Sequence, residues 1–293
     1  MRKIIKKYPG LVIFFEIAVI ITVIFAAYMI KYHKKNAKQQ DYYEAIKEEA
    51  WSNLNNNADN KRNASDKDSS LGKKDFSEKK ELPSDFPGVI TIDAYKNINS
   101  DVIAYIFIPD TQIDYPILKK EDSDNYYLKH NIDNSTGYPG CIYVENYVNS
   151  DFNDLITVVY GHNMKNGTMF GSLHKMHRDH EFLESHKKIY LYTSDSIKVY
   201  SIVCCSYYSD EHVLSQSLEM GSDNLYVFKG FTENAGKELL EKIKAFGDEK
   251  AYFSNEKITE NDELLVLSTC NTNSTRVVAV AKEIGDYLIS EIR

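Results

Sequence analysis

Two apolar runs near the end of the sequence, residues 264–267 and 277–281, flank a short polar connection. Both runs are rich in β-branched and aliphatic residues, and apolar runs on either side of a polar turn are typical of a β-hairpin. If residues 271–275 form its loop, Cys270 and Arg276 lie opposite each other on adjacent antiparallel strands. Opposed residues project from the same face of a sheet, so the pattern predicts a thiol beside a guanidinium.

A thiol in that position has the setting of a nucleophile. A nearby fixed positive charge favours the thiolate, which is the reactive form of cysteine. The alternative is a buried structural cysteine at a strand end, because free cysteine is among the most buried residue types. Of the four cysteines, Cys141, Cys204 and Cys205 lie in apolar runs and are interpreted as small core residues, whereas Cys270 stands beside polar residues at a strand terminus.

A second constraint is the apolar segment 11–30, which carries one charge in twenty residues and is long enough to cross a bilayer as a helix. A cleaved signal peptide is the alternative, but no small-x-small cleavage site follows the segment. We therefore predict a short cytoplasmic tail over 1–10, a single transmembrane anchor over 11–30, a polar juxtamembrane tether over 31–81 with a helix near 42–54, and a catalytic domain over 82–293. Basic residues on both sides leave the orientation close to balanced, and we expect the large domain outside the cell.

Charge divides unevenly between these parts. Residues 1–80 contain 16 Lys and Arg against 10 Asp and Glu, and the remainder contains 19 against 33. An acidic domain disfavours nucleic acid as a partner, because binding phosphate needs the opposite sign. The basic flanks of the apolar segment are suited instead to lipid headgroups.

Short strands separated by frequent turns dominate the sequence from residue 82 onward, which indicates a mainly β barrel or sandwich. A helix is predicted over 233–246 with Thr232 as its N-cap, and a shorter one over 170–176. The predicted strands are 89–92, 102–108, 113–118, 141–145, 155–160, 188–193, 197–208, 263–269 and 276–282.

A thiol nucleophile usually works with a general acid/base, and His162 is the first candidate among eight histidines. It ends a strongly apolar strand, and Gly161 before it permits close backbone approach. The alternative is a hydrogen-bonded strand-end histidine. The histidines at 174, 177 and 180 are close enough in sequence to suggest a metal cluster. Residues three apart do not stay on one face of a helix, however, so we favour an exposed helix surface as the interpretation. No metal and no cofactor is predicted.

Several separate stretches together resemble the sortases, membrane-anchored cysteine transpeptidases of Gram-positive bacteria. They are YGHNMKNGTMFGSLHKM at 160–176, and LSTC at 267–270 followed by an arginine on the next strand. INSDVIAYIFIPDTQIDYPIL at 98–118, DNYYLKHN at 124–131 and GCIYVEN at 140–146 resemble the class B branch, as does a helix before the cysteine strand. The interval from Cys270 to Arg276 is shorter than expected for many class B members.

The resemblance implies an eight-stranded β-barrel with peripheral helices and a catalytic site of His162, Cys270 and Arg276. It also places Asn125 and Ser268 at positions where class B enzymes contact substrate. The implied activity is cleavage of a C-terminal sorting signal of secreted proteins after Thr, NPQTN-like or NPxTG-like, through a thioacyl intermediate. The acyl group then passes to an amine of a peptidoglycan precursor.

Three alternatives stay open. A pilus-polymerising sortase would use a pilin lysine as the amine, and a thiol protease would use water. A surface adhesin or sensor would keep the barrel without turnover.

Overall fold

A computed structural model of the chain describes residues 9–62, 82–84, 86–271 and 274–292. The chain divides into two compact units, Met1–Ala45 and Ile46–Arg293. Residues 1–8 of the predicted tail, residues 63–81 of the predicted tether and two residues of the hairpin loop, Thr272 and Asn273, lie outside the described residues.

The first helix, α1, covers Pro9–Arg62. It contains one stretch, Ile13–Lys31, of 19 residues with a mean hydropathy of 2.5, long and apolar enough to cross a membrane. The most apolar residues of this stretch are not buried against other parts of the described chain. The short helix predicted near 42–54 lies within α1, and the domain boundaries proposed from the sequence stay predictions.

The second unit is built on eight strands, β1 Val102–Phe107, β2 Asp114–Lys119, β3 Ile142–Val144, β4 Ile156–Tyr160, β5 Lys188–Tyr192, β6 Ser196–Ser209, β10 Leu264–Cys270 and β11 Thr275–Leu288. They pair in the order β11-β10-β4-β3-β2-β1-β5-β6 as one mixed sheet, and β6 also pairs with β11, so the eight strands close into a barrel, as predicted. A further short strand, β9 Tyr252–Phe253, pairs with β6 at Cys204 and Cys205.

Short elements surround the barrel. They are the helices α2 Asp93–Ile98, α3 Gly171–Arg178, α4 His180–Ser185, α5 Ala235–Phe246 and α6 Ile289–Ile292, a 3₁₀ turn Tyr126–Leu128, the separate hairpin β7 Leu218–Met220 with β8 Tyr226–Phe228, and β9 Tyr252–Phe253.

Two local predictions are wrong. Residues 89–92 form no strand, and Ile90 and Ile92 are instead buried as apolar cover in an irregular segment before α2. The helix expected from residue 233 begins at Ala235 with Asn234 as its N-cap. Thr232 therefore lies two residues before the N-cap, and its hydroxyl donates to Glu238 at 2.8 Å.

The direction of two strands decides where the site can form. β10 runs parallel to β4, with Leu264 opposite Ile156 and Ser268 opposite Tyr160. Parallel neighbours end at the same side of the sheet, so the residues that follow them meet at one end of the barrel. The Gly161 N–H donates to the Ser268 carbonyl at 3.1 Å, which extends this ladder one residue beyond β4.

Candidate active site

The hairpin prediction for Cys270 and Arg276 is confirmed. β10 and β11 pair antiparallel with Cys270 directly opposite Arg276. The Arg276 Nη1 donates to the Cys270 Sγ at 2.8 Å, and the thiol is exposed. The guanidinium and the sulfur therefore lie side by side on one face of the hairpin, as the register requires.

The other three cysteines are buried, as the sequence indicated. Burial raises the pKa of Cys205 to about 12 and raises that of Cys204 well above its usual range. These two thiols therefore stay protonated at neutral pH, and Cys270 is the exposed thiol among the four.

His162 reaches the same end of the barrel through the parallel register. Ser268 pairs with Tyr160, so two residues further along each strand bring Cys270 and His162 to equivalent positions. Packing requires a glycine at position 161, directly before His162. A Cβ there would lie 2.5 Å from Ile142 Cδ1 and 2.8 Å from the Phe170 ring.

The His162 ring is fixed on two sides. Its Nε2 lies 2.7 Å from the Leu128 carbonyl, and Tyr138 packs on the ring with centroids 5.0 Å apart. A carbonyl only accepts, so Nε2 carries a proton and the nitrogen left to exchange protons is Nδ1. Burial lowers the pKa of His162, and the bond to Leu128 opposes that shift.

The three side chains of the predicted catalytic site line one cavity of about 230 Å³ at the end of the barrel. It is lined by His162, Cys270 and Arg276 together with Ser268, two residues before the cysteine on the same face. Asn125 is exposed, precedes the 3₁₀ turn and is not among the lining residues. The structure thus brings four of the five predicted residues together and leaves out Asn125.

A buried polar group in the cavity wall was missed by sequence reasoning. His212 Nε2 lies 2.7 Å from Glu145 Oε2 and 2.8 Å from the Tyr160 hydroxyl, and the Leu214 N–H donates to His212 Nδ1 at 3.0 Å. Because Nδ1 accepts, Nε2 holds the proton and donates to Glu145. His212 stood alone in polar sequence, and nothing in its surroundings indicated this partner.

The three histidines of α3 and α4 do not converge. His174 Nε2 bonds to the Cys270 carbonyl at 3.0 Å, His177 to Asp248 at 3.0 Å, and His180 to the Lys250 carbonyl at 2.9 Å. Among the described residues no group of three His, Cys, Asp or Glu side chains could hold a metal ion. The predicted solvated surface is wrong for His174 and His177, which are 8% and 1% exposed.

Comparisons with known proteins identify the family of this chain. The Sortase domain family matches residues 106–284. Sortase B of Listeria monocytogenes serovar 1/2a is 34% identical over 178 residues, which span 60% of this chain and 65% of that protein, just under two thirds of its length.

Solved structures of similar proteins share the fold. Clostridium perfringens sortase B matches with a TM-score of 0.55 and 27% identity, covering 67% of this chain and all of that one. Sortase B from B. anthracis in complex with AAEK1 matches with a TM-score of 0.52 and 30% identity, covering 66% and 83%. The family match spans more than half of this chain, and the three relatives named above are sortases B. This chain therefore belongs to the sortase family.

Proposed function

We propose that this chain is a class B cysteine transpeptidase in which Cys270 is the nucleophile, His162 the general acid/base and Arg276 the electrostatic stabiliser. The observation that carries the proposal is the register of β4, β10 and β11. It places the three side chains on one cavity, with the guanidinium 2.8 Å from the sulfur.

In the first half-reaction the Cys270 thiolate attacks the carbonyl carbon of a threonyl peptide bond. Arg276 stabilises the oxyanion, since its guanidinium stays charged at any working pH. The C–N bond breaks as the departing amine takes a proton from the His162 imidazolium, which leaves a thioester on Cys270.

In the second half-reaction an incoming amine attacks the thioester carbonyl and gives a proton to neutral His162. The C–S bond then breaks and returns the thiolate. Nδ1 is the atom of His162 that exchanges these protons, because Nε2–H is bonded to Leu128. Burial lowers the pKa of His162, so the imidazolium is a minor form at neutral pH and limits the first half-reaction.

The substrates we propose are secreted proteins with a C-terminal sorting signal, and the acceptor is an amine of a peptidoglycan precursor. Ser268 lines the cavity and is positioned to contact the peptide. The 13–31 stretch of α1 would anchor the protein in the membrane with the barrel outside the cell. Such an anchor confines enzyme and substrates to one surface and raises their effective concentration.

The test incubates the full-length chain in detergent micelles with a panel of NPQTN-like and NPxTG-like peptides, with and without an added amine. We expect intact mass to show an acyl adduct on Cys270 and, with the amine present, an amide product. Cys270→Ala should give neither. A folded protein that forms no adduct with any peptide would contradict the proposal, and adducts released only to water would identify a thiol protease instead.

A further inference from the structure

His174 touches the residue that carries the nucleophile, although the mechanism above makes no use of it. It lies on α3, the helix that follows the loop after His162, and its side chain is 8% exposed. Its Nε2 is 3.0 Å from the main-chain carbonyl oxygen of Cys270. Because that oxygen can only accept, Nε2 carries a proton whether the ring is neutral or charged.

The Cys270 carbonyl needs a donor from outside the sheet. Alternate carbonyls along a strand point the same way, so the Cys270 carbonyl points to the same side as that of Ser268, toward β4. The Ser268 carbonyl accepts from Gly161, but β4 has ended by then and Asn163 forms an isolated bridge with Met169. His174 supplies the donor at the point where the strand no longer does.

The other side of the cysteine is held by the hairpin. The Asn271 N–H donates to the Thr275 carbonyl at 3.0 Å, and the Asn271 side chain donates to the Thr275 hydroxyl at 3.0 Å. With His174 in place, the main chain at Cys270 is restrained from both edges. This restraint fixes the direction of the Cα–Cβ bond and so limits where Sγ can lie relative to the guanidinium.

We propose that His174 is a positioning residue for the nucleophile, holding the Cys270 main chain so that its sulfur stays in contact with Arg276. As a statement about catalysis this rests on the function proposed above. The restraint itself is independent of that function, because it concerns the reactivity of the Cys270 sulfur with or without a peptide substrate.

His180 offers a matched control. Its Nε2 also donates to a main-chain carbonyl, that of Lys250 at 2.9 Å, and it begins the next helix. It does not line the cavity and does not contact Cys270. Replacing either histidine by phenylalanine removes one hydrogen bond from a ring N–H to a main-chain carbonyl. Only the bond from His174 is to the residue that carries the nucleophile.

The experiment compares His174→Phe, His174→Gln and His180→Phe in the full-length chain. The first readout is the alkylation rate of Cys270 by iodoacetamide at pH 7, followed by intact mass, which reports the exposed thiol because the other three are buried. We expect His174→Phe to slow alkylation about tenfold, as the loss of one oriented hydrogen bond allows. His174→Gln, which places an N–H at similar reach, should stay within about twofold of wild type, as should His180→Phe.

The second readout is turnover of a peptide that wild type accepts. His174→Phe should lower kcat about tenfold with KM nearly unchanged, because the contact is to the nucleophile and not to the substrate. A His174→Phe protein that alkylates at the wild-type rate would overturn the proposal, as would an equal loss in His180→Phe.

If His174→Phe does not fold, the test compares the alkylation rate of Cys270 in His174→Gln with that in His174→Asn. Asparagine is one methylene shorter and cannot reach the carbonyl, so equal alkylation rates would overturn the proposal and a slower asparagine variant would support it. The alkylation result stands even if no peptide is ever cleaved, which separates failure of this inference from failure of the proposed function.

Discussion

The two ends of the β10–β11 hairpin each hold a cation, and they use it differently. At the cavity end Arg276 contacts one thiol and lines the cavity. At the opposite end Lys198 of β6 is 2% exposed, with its Nζ 3.0 Å from Glu263 and Glu283 and 3.6 Å from Asp286. The ammonium of Lys198 is already paired with carboxylates and stabilises the fold. The guanidinium of Arg276 lines a cavity, where it can also bind a ligand.

The pKa of Lys198 agrees with this division. Burial works to lower the pKa, but the hydrogen bonds to Glu283 and Glu263 outweigh it and raise the pKa above its ordinary value. The lysine therefore stays charged in the folded protein. We expect the two ends to separate experimentally, with the cavity end governing rate and the opposite end governing stability.

The largest effect is expected from Arg276→Met. We propose above that Arg276 stabilises the oxyanion, so removing its charge should lower kcat by about 100-fold to 1,000-fold. The free energy of unfolding should change by less than about 0.5 kcal/mol, because the side chain is partly exposed at a cavity rim. Peptide turnover and urea unfolding of the same preparation measure both. A large loss of stability would break the proposed division of roles.

Lys198→Met is the complementary change at the opposite end. It leaves three carboxylates without their shared cation and should lower the free energy of unfolding by about 2–3 kcal/mol, below the full value for a buried pair because the carboxylates are partly exposed. kcat per folded molecule should be unchanged. Adding Glu263→Gln and Glu283→Gln should recover part of the loss, and a failure to recover would show that charge is not the cause.

Gly161→Ala tests the packing that joins the two strands of the site. The added methyl would lie within 3 Å of Ile142 and Phe170, so the neighbouring residues must move, at a cost of about 1–3 kcal/mol in unfolding free energy. Gly171→Ala is the control, since its methyl would meet nothing closer than 3.3 Å and the residue begins a helix. Equal costs in urea unfolding would contradict this account.

The smallest effect is expected from pH. Burial lowers the pKa of both His162 and His174, so between their folded values and about 6.5 the unfolded chain binds more protons than the folded one. Stability is therefore fully present above about pH 6.5 and falls as the pH drops through the folded values. His162→Gln should flatten the dependence measured by urea unfolding between pH 7 and pH 5. An unchanged slope would show that His162 does not contribute.

Sequence reasoning predicted the hairpin half of the site because its geometry is local. A five-residue loop between two apolar runs is enough to set Cys270 opposite Arg276. His162 depends on a parallel register between strands more than a hundred residues apart, which no local pattern specifies. Its position at the end of an apolar strand made it a candidate, and the family resemblance assigned it the catalytic role. The contact between His212 and Glu145 also joins distant parts of the sequence, and no sequence signal indicated it.

Other features could not be predicted because packing decides them. β7, β8 and β9 are two or three residues long and carry too little pattern to be distinguished from loop. The spacing of His174 and His177 is compatible with an exposed face, but α3 packs against β6 and β11 and both side chains are buried. Asn125 was assigned by resemblance alone, and an exposed residue before a 3₁₀ turn offers no other signal.

The ladder of β10 and β11, and not the connection between them, aligns sulfur with guanidinium. Extra residues inserted after Asn271 would lengthen the connection while leaving Cys270 opposite Arg276. Removing one residue of β11 directly after Arg276 would turn the arginine to the opposite face of the barrel, because side chains alternate along a strand. The hairpin thus joins a connection whose length can change to strands in which the number of residues is fixed.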